Sequence, residues 1–216
     1  MHELHKFFDD HKLIGIVRAS EHEDAVNIAR AVLAGGFKII EISMNIPQAP
    51  KLIESLCKKE HGNGYLVGAG TVTDGEIAQR AINAGAKFVS SQFTDKAILT
   101  VCKNNNSFVI QGAATPTEVM DAIGLSVDLV NLYPIDLLGG ASYAPRLKKF
   151  CPISKLMASG GVTCENVLDH IRTGVAAVAI GRAICDKQLV RSHNWQEITD
   201  RARKFQQKLD SLKVAR

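Results

Sequence analysis

The stretch EDAVNIARAVLAGGFKIIEIS, residues 23–43, contains the unit from which the fold can be predicted. Apolar residues recur at helical spacing in its first half, at Ala25, Ile28, Ala29, Val32 and Leu33, which predicts an amphipathic helix. Gly35 and Gly36 then offer the left-handed backbone that commonly ends a helix. The run FKIIEIS is short and apolar, as a buried strand is. The stretch therefore predicts a helix that turns through glycine into a strand.

The same alternation continues along the whole chain. Eight short apolar runs are predicted strands: LIGIV at 13–17, FKIIEIS at 37–43, YLVGAG at 65–70, KFVSS at 87–91, SFVIQG at 107–112, VDLVNLY at 127–133, SKLMAS at 154–159 and AAVAIG at 176–181. Longer amphipathic stretches lie between them, and strict alternation of this kind is typical of parallel strands joined by helices.

Several helix ends are marked by their residue types. Three more helical patterns stop at a glycine, at positions 85, 124 and 174, and we expect each glycine to end its helix. Ser20, with Glu23 three residues later, predicts a capping box. Thr115 and Glu118, with a proline between them, predict another. These signals support the division of the chain into helix and strand units.

Eight strand–helix units predict a closed (β/α)₈ barrel, an α/β fold of the TIM-barrel type. One extra helix is expected in front of it, at about residues 2–11, and the whole chain, 1–216, is predicted to be a single barrel domain. The alternative is an open doubly wound sheet. The absence of a GxGxxG motif after the first strand and the late position of the glycine-rich loops favour the barrel.

Composition excludes several classes of protein. The 216 residues are 46% hydrophobic, and the formal net charge of +4 is not concentrated in one block, so a nucleic-acid partner is not expected. No apolar run is long enough to cross a membrane, and the first residues lack the apolar core of a secretory signal. Five scattered cysteines without a CxxC pair predict reduced thiols in a cytoplasmic protein, and no metal site is predicted.

In a barrel of this kind the site lies where the strands end. Glu41 lies within the apolar run KIIEIS, with Ser43 and Asn45 on its side of the strand and Ile40 and Ile42 on the other. A buried carboxylate is costly unless it is paired or functional, and burial would raise its pKa toward the range of a general acid/base. The alternative is a structural ion pair with Arg18 or Lys38.

Two late glycine loops predict a phosphate site. ASGGV at 158–162 follows strand seven and AIGRAI at 179–184 follows strand eight, where barrels repeatedly bind phosphate through main-chain N–H groups. The predicted phosphate-binding residues are Gly160, Gly161, Gly181 and Arg182. The alternative is that these glycines only form turns. Thr71, in GAGTV, either holds a ligand oxygen or caps the next helix.

With these motifs the chain resembles the 2-keto-3-deoxy-6-phosphogluconate aldolase family. These class I aldolases form a Schiff base with pyruvate. The resemblance extends from GIVR to about residue 190, and IEISMNIP at 40–47 and ATPTE at 114–118 are most similar to the 2-dehydro-3-deoxy-6-phosphogalactonate aldolase branch. It implies a lyase that converts a phosphorylated 2-keto-3-deoxy sugar acid into pyruvate and an aldehyde, without a cofactor, and it implies a homotrimer.

The resemblance also implies roles for individual residues. Glu41 matches the general acid/base, Thr71 a residue that holds the pyruvyl carboxylate, and Arg18 an arginine that lines the site. The glycine loops match the phosphate-binding region, although serine is usual at the position of Arg182. Asn45 agrees with the galactonate branch, since the gluconate-type enzymes have arginine there.

One position departs from the family in a way that affects the chemistry. Asn131, in Asn-Leu-Tyr-Pro, stands where the family has its Schiff-base lysine. A carboxamide nitrogen is not nucleophilic and cannot form an iminium. Gln92 and Gln111 replace the family's prolines at the predicted mouth, where they are expected to bind substrate. Lys38, Lys87 and Lys155 lie near the starts of strands, so we do not expect them to substitute.

Three functions therefore remain open. The first is an enzyme that cleaves or enolises a phosphorylated keto acid without a Schiff base; a divalent metal would then be one chemically reasonable electron sink. The second is a binding barrel that has kept the anion site and lost catalysis. The third is a structural or interaction protein. Its only support is the general rule that a fold does not by itself define a function.

Overall fold

The computed structural model describes residues 2–60, 64–151 and 155–214. Its eight strands are Leu13–Val17 (β1), Ile39–Ser43 (β2), Leu66–Gly70 (β3), Phe88–Ser90 (β4), Phe108–Ala113 (β5), Leu129–Leu132 (β6), Leu156–Ser159 (β7) and Ala177–Ile180 (β8). They are parallel and form a closed barrel in chain order, in which β1 pairs with both β2 and β8. The predicted (β/α)₈ barrel is confirmed. The start of the predicted strand at 154–159 lies outside the described residues.

Helices alternate with these strands. They are His2–His11 (α1), His22–Ala34 (α2), Ala49–Glu60 (α3), Gly75–Asn83 (α4), Lys96–Asn104 (α5), Pro116–Gly124 (α6), Tyr143–Lys148 (α7), Val167–Arg172 (α8), Lys187–Arg191 (α9) and Trp195–Val214 (α10). A 3₁₀ turn at Gly140–Ser142 precedes α7. The extra helix predicted at 2–11 is α1, and α9 is a short additional helix after β8.

The strands bury both faces. One face contacts the helices in a large apolar layer that includes Ile40 and Ile42, and the other fills the barrel interior with residues such as Ile39 and Phe108. This alternation follows from the two-residue period of a strand, and it explains why the strand sequences read as nearly continuous apolar runs. The interior is therefore packed at its lower levels, and open space remains only where the strands end.

Helix α1 closes the end of the barrel at which the strands begin. Phe8 is fully buried, and its ring stacks on Phe108 at a centroid distance of 4.9 Å and meets Phe88 edge-on at 5.4 Å. His5 of the same helix lies 3.5 Å from Asp128, which precedes β6. These contacts fix the position of α1. The sequence predicts that this helix is present but does not predict how it packs.

Most of the predicted helix ends are confirmed, and two are corrected. Gly36, Gly85 and Gly174 have the expected positive φ angles of 100°, 99° and 77°. Helix α6 does end at Gly124, but the left-handed residue after it is Ser126, with φ 60°. The Thr115–Glu118 capping box is present.

The capping box at Ser20 is wrong. Helix α2 begins one residue later than that box requires, with Glu21 at the N-cap and no side-chain hydrogen bond to the first turn. Ser20 instead lies in the β1–α2 loop, where it lines a cavity. The loop geometry, rather than the local capping preference, decides where this helix starts.

Candidate active site

The carboxyl ends of the strands surround a cavity of about 510 Å³, which we call the central cavity. Its polar lining residues are Arg18, Glu41, Ser90, Gln92, Asn131, Tyr133, Asp136, Ser159, Thr163 and Arg182, together with Gly160, Gly161 and Gly181. Six different strand ends thus contribute side chains to one space. This volume is within the usual range for a site that encloses a small organic ligand.

Glu41 is the carboxylate at the base of the cavity wall. It is only 2% exposed, and a Cβ atom at position 70 would collide with its carboxylate oxygen. Glycine at position 70 therefore makes the space that the carboxylate fills. Burial raises the pKa of Glu41, while a hydrogen bond with Ser90 and the more distant charge of Arg18 act in the opposite direction. The side chain has the environment of a general acid/base.

The alternative role of Glu41, a structural ion pair, is not what the geometry shows. Arg18 influences the carboxylate only through its charge, and no ion pair of the described residues includes Glu41. Lys38 immediately precedes β2 and is exposed at the opposite end of the strand. The hydrogen bond that acts on the pKa of Glu41 comes from the Ser90 hydroxyl rather than from a cation.

Asn131 projects into the same cavity from β6. It is 2% exposed, and its Oδ1 accepts a hydrogen bond of 2.7 Å from the Ser159 hydroxyl on the neighbouring strand β7. This bond fixes the carboxamide plane. The Nδ2 group donates no hydrogen bond to another residue of the described chain, and Asn131 lines the cavity. The amide hydrogens are therefore available to a carbonyl or oxyanion of a ligand.

The glycine loop after β7 forms one wall of the cavity. Gly160 and Gly161 have φ angles of 87° and 76°, and a side chain at position 161 would collide with Asp136. The main-chain N–H groups of these two glycines, and those of Arg182 and Ala183 after β8, donate no hydrogen bond to any described residue. Free N–H groups that face one space can bind an anion. Gly181 differs, since its conformation would accept a side chain.

A second cavity, of about 900 Å³, adjoins the first between the β1–α2 and β8–α9 loops. We call it the β1/β8 cavity. It shares Ile16, Arg18, Gly181 and Arg182 with the central cavity, so the two lie side by side. Asn45, predicted to bind substrate, lines the β1/β8 cavity rather than the central one.

Thr71 is connected to Asn45 by a short hydrogen-bonded chain. Its hydroxyl lies 2.7 Å from the hydroxyl of Ser43, which in turn donates to Asn45 Oδ1 at 2.7 Å. Thr71 has a φ of 55°, an unusual conformation for a β-branched residue. It is not among the residues that line either cavity. The cap of helix α4 is Asp74, so the alternative role of Thr71 as that cap is not observed.

Gln111 does not lie at the mouth of the barrel, where it was predicted to bind substrate. Its side chain leaves the barrel on the outer face of β5 and is fully buried there. Nε2 donates to the carbonyl of Asp95 at 2.8 Å, and Oε1 accepts from the Asp95 N–H at 3.3 Å. Both ends of the amide are thus used to hold the start of α5, and Gln111 takes no part in the cavity lining. Gln92, by contrast, does line the central cavity.

Lysines are absent from the described lining of the central cavity. Lys38 and Lys87 precede β2 and β4 and are exposed. Lys155 precedes β7, and its charge acts on His5 of the helix that closes the opposite end. Lys187 lines the β1/β8 cavity only. The interpretation that these three strand-start lysines lie away from the site agrees with these positions.

Several residues of the central cavity were not predicted from the sequence. Ser90, the partner of Glu41, alternates with Phe88 and Gln92 on the inner face, so strand period alone could have identified it. Tyr133 and Asp136 line the cavity from the loop after β6, and no local signal distinguishes such loop residues. Within the described ranges, no group of three or more His, Cys, Asp or Glu side chains could hold a metal ion, and Glu41 and Asp136 are the acidic residues of the central cavity.

A polar cavity at the carboxyl ends of a closed parallel barrel is the architecture of the (β/α)₈-barrel enzymes. A model of the family described as "Aldolase: KDPG and KHG aldolase" matches residues 4–201. The chain therefore belongs to the KDPG and KHG aldolase family, and the predicted aldolase-type, carbon–carbon lyase class is confirmed at this level.

Individual relatives agree with this assignment. The 2-dehydro-3-deoxy-phosphogluconate aldolase of Treponema pallidum is 27% identical over 188 residues, 87% of this chain and 89% of that protein. The 2-dehydro-3-deoxy-6-phosphogalactonate aldolase of Escherichia coli is 28% identical over 170 residues, 78% and 82% of the two chains. These identities do not separate the two branches.

A solved structure gives the same result in three dimensions. The KDPG aldolase from Legionella pneumophila, with pyruvate captured as a covalent carbinolamine intermediate, superposes with a TM-score of 0.82. It is 26% identical to this chain and covers 92% of it, and 96% of that chain is covered. No helix in the described part of this chain is long and apolar enough to cross a membrane.

Proposed function

We propose that this chain binds a phosphorylated 2-keto-3-deoxy sugar acid in the central cavity and cleaves it to pyruvate and an aldehyde. The observation that carries the proposal is that a buried carboxylate of raised pKa, Glu41, and the free N–H groups of the Gly160–Gly161 loop open into one cavity. The carboxylate is suited to proton transfer, and the loop is suited to a phosphate.

Each residue has a defined part in this reaction. Cleavage removes the proton of the C4 hydroxyl, breaks the C3–C4 bond and leaves the electron pair on the pyruvyl group as an enolate. Protonation at C3 then gives pyruvate. Glu41 is the group that moves these protons. Gly160, Gly161, Gly181 and Arg182 hold the phosphate, and Arg18 and Gln92 bind the remainder of the substrate. Thr71 and Asn45, predicted to bind substrate, do not line the central cavity, so their part is to brace the ends of β2 and β3 through the Ser43 hydroxyl.

Asn131, we propose, occupies the position of the family's Schiff-base lysine. Its Nδ2 hydrogens can stabilise an enolate oxygen by hydrogen bonding, but the nitrogen cannot attack the keto carbon. The electron sink is therefore weaker than an iminium, and we expect slow turnover by a non-covalent route. The side chains lining the cavity do not form a ready-made metal site, so no step of this route is assigned to a metal.

A second candidate function rests on the same asparagine. A barrel that keeps its anion cradle and loses its nucleophile can bind a phosphorylated keto acid without converting it. The Ser159–Asn131 hydrogen bond favours this alternative, because it shows the carboxamide integrated into the cavity wall. Binding without cleavage is the outcome that would establish it.

The finer properties implied by the family resemblance are also proposals. We propose the galactonate branch on the basis of IEISMNIP at 40–47, a homotrimer on the basis of the resemblance, and a cytoplasmic location. All five cysteines are free thiols, which supports the location, since reducing compartments preserve them. Light scattering on the purified chain would distinguish the trimer from a monomer.

Borohydride trapping tests the role of Asn131. The native chain is incubated with pyruvate and sodium borohydride, and its intact mass is measured. We expect no adduct on the native chain and a reduced pyruvyl adduct on Asn131→Lys, because an amine is then present at the critical position. Asn131→Arg is the matched control: it introduces the same charge and cannot form an imine. An adduct on the native chain would contradict the proposal for Asn131.

A cleavage assay separates the two candidate functions. Pyruvate release from a 2-keto-3-deoxy-6-phospho sugar acid is followed with lactate dehydrogenase, with either EDTA or a divalent cation present. Slow release that is lost in Glu41→Gln supports the lyase. Saturable binding without release from either the native chain or Asn131→Lys would instead support the binding protein.

A further inference from the structure

The β1/β8 cavity provides space beyond what the proposed substrate needs, because a phosphorylated six-carbon acid fits in the central cavity. The central cavity alone, at about 510 Å³, is adequate for such a ligand. The adjoining space of about 900 Å³ lies beside it, and Arg18 and Arg182 line both. Its far side is formed by helix α9, through Lys187, Gln188, Val190 and Arg191.

The lining of this second cavity is strongly cationic. Arg18, Arg182, Lys187 and Arg191 contribute four positive charges, and Asp186 contributes the one negative charge among the lining residues that the structure describes. Asp186 is already engaged, because it pairs with Arg201 at 2.9 Å and accepts hydrogen bonds from the main chain of Gln188 and Leu189. The lining residues that the structure describes therefore leave a net positive charge around the β1/β8 cavity.

Three of these cationic side chains form no ion pair with a residue that the structure describes. Arg182, Lys187 and Arg191 are exposed and take part in none of the ion pairs or side-chain hydrogen bonds of the described chain. Elsewhere the arginines of this region, such as Arg201 and Arg203, are paired with carboxylates. Like charges around one cavity repel each other and are stabilised when an anion binds between them.

We propose that the β1/β8 cavity is a second phosphate subsite, distinct from the Gly160–Gly161 loop. Lys187 and Arg191 bind the phosphate from the α9 side, and Arg182 stands between the two subsites. Guanidinium groups bind phosphate oxygens through paired hydrogen bonds, and the neutral side chains of Ser20 and Asn45 supply further polar contacts across the cavity. The inference does not require the central cavity to be catalytic.

Two sources could supply this phosphate group. It could be the second end of a bisphosphorylated ligand that spans both cavities, or it could belong to a separate small phosphorylated molecule. The two cavities are adjacent and share Arg18 and Arg182, and the phosphate chemistry that Lys187 and Arg191 recognise is the same for both sources. The experiment therefore uses a free phosphate and a matched pair of sugar phosphates.

The test is a titration of the full chain with inorganic phosphate, followed by amide NMR. The amides of Ser20 and Lys187 report the β1/β8 cavity, and those of Gly160 and Gly161 report the loop. We expect saturable shifts at both places. In Lys187→Ala/Arg191→Ala the dissociation constant at the β1/β8 cavity should rise tenfold or more, while the loop is unchanged. Lys96→Ala/Lys149→Ala removes the same charge from exposed positions elsewhere and should alter neither.

The sugar phosphates distinguish the sources. If one ligand spans both cavities, fructose 1,6-bisphosphate should bind at least tenfold tighter than fructose 6-phosphate, and Lys187→Ala/Arg191→Ala should abolish that advantage. If a separate molecule binds, fructose 6-phosphate should occupy two sites in the native chain and one in this variant. The proposal is wrong if the Ser20 and Lys187 amides do not respond to phosphate, or if the two double variants weaken binding equally.

Discussion

At the scale of single residues, Glu41 is buried although a carboxylate is more stable in water. Its burial raises its pKa, so the folded protein disfavours the charged form that predominates in the unfolded chain at neutral pH. Such a group contributes to stability below its unfolded pKa, and this contribution is lost as the pH rises through its folded pKa. At neutral and higher pH the carboxylate therefore lowers the free energy of unfolding.

Replacing Glu41 with glutamine should consequently have two opposite effects. We expect a loss of about 10²- to 10⁴-fold in enzyme-dependent exchange of the pyruvate C3 protons with deuterium, because the proposed proton-transfer group is removed. We also expect a higher free energy of unfolding at pH 8, with a smaller difference at pH 4, since glutamine does not titrate. Proton NMR and urea unfolding measure the two quantities.

Glu54→Gln is the matched control for this change. Glu54 is an exposed carboxylate on α3 that pairs with Lys58, and its replacement should leave proton exchange unchanged. Equal exchange rates in Glu41→Gln and the native chain would contradict the role of Glu41.

At the scale of secondary-structure elements, α1 closes the end of the barrel at which the strands begin. Phe8 belongs to the same apolar cluster as the inner residues of the strands, so this helix completes the core from below. The site lies at the opposite end, where the strands finish. Stability and chemistry are thus carried by different ends of the same strands, which is characteristic of this fold.

Phe8→Ala should destabilise the protein by about 3–5 kcal/mol, as is usual when a fully buried phenylalanine is truncated. Phe7→Ala is the comparison, because Phe7 lies beside Phe8 and is only partly buried. Its cost should be clearly smaller. Urea unfolding monitored by circular dichroism measures both, and similar losses for the two variants would mean that α1 does not close the barrel in this way.

Element type was predictable from the sequence, whereas several element ends were not. The apolar runs and glycine stops identified the eight strands and α1, because periodicity and backbone freedom are local properties. Ser20 was misjudged because the surrounding loop decides where α2 starts. Gly124 ends α6 as predicted, although the left-handed residue that follows is Ser126. Gln111 was misjudged for another reason: a polar residue in a strand can serve either face, and here the start of α5 takes its amide.

At the scale of the whole molecule, stability should depend on two histidines. Burial lowers the pKa of His170 on α8, and burial together with the charge of Lys155 lowers that of His5 on α1. The unfolded chain therefore binds protons more readily at these positions. Their contribution to stability is present above the ordinary histidine pKa of about 6.5 and is lost as the pH falls through that value toward the folded pKa.

We expect the free energy of unfolding of the native chain to fall more steeply between pH 7.5 and 5.5 than that of His5→Gln/His170→Gln. The difference in slope is at most about 1.4 kcal/mol per pH unit for each histidine. Comparing slopes removes the contribution of Glu41, which has the opposite sign and is common to both chains. Urea titrations at several pH values give the slopes. An unchanged slope in the double variant would refute the assignment.

The arrangement of the cavities is a property of the assembled molecule. Arg18 and Arg182 are separated by most of the chain and meet only because β1 pairs with β8. Each residue was predicted from the sequence as a site residue, but the cavity that the two residues line together was not. The inward position of Asn131 was predictable, since it follows from the two-residue period of β6 and from its place at the end of a strand.

The pairing of β1 with β8 also has a consequence for how the protein is made. The ring cannot close until residues 177–180 have left the ribosome, because β8 is the partner of the first strand. Until then β1 and the strand that has just emerged are open sheet edges, which can pair with other chains. Synthesis at about 5–20 residues per second thus leaves a nascent open sheet for several seconds, and chaperones that shield such edges would act in that interval.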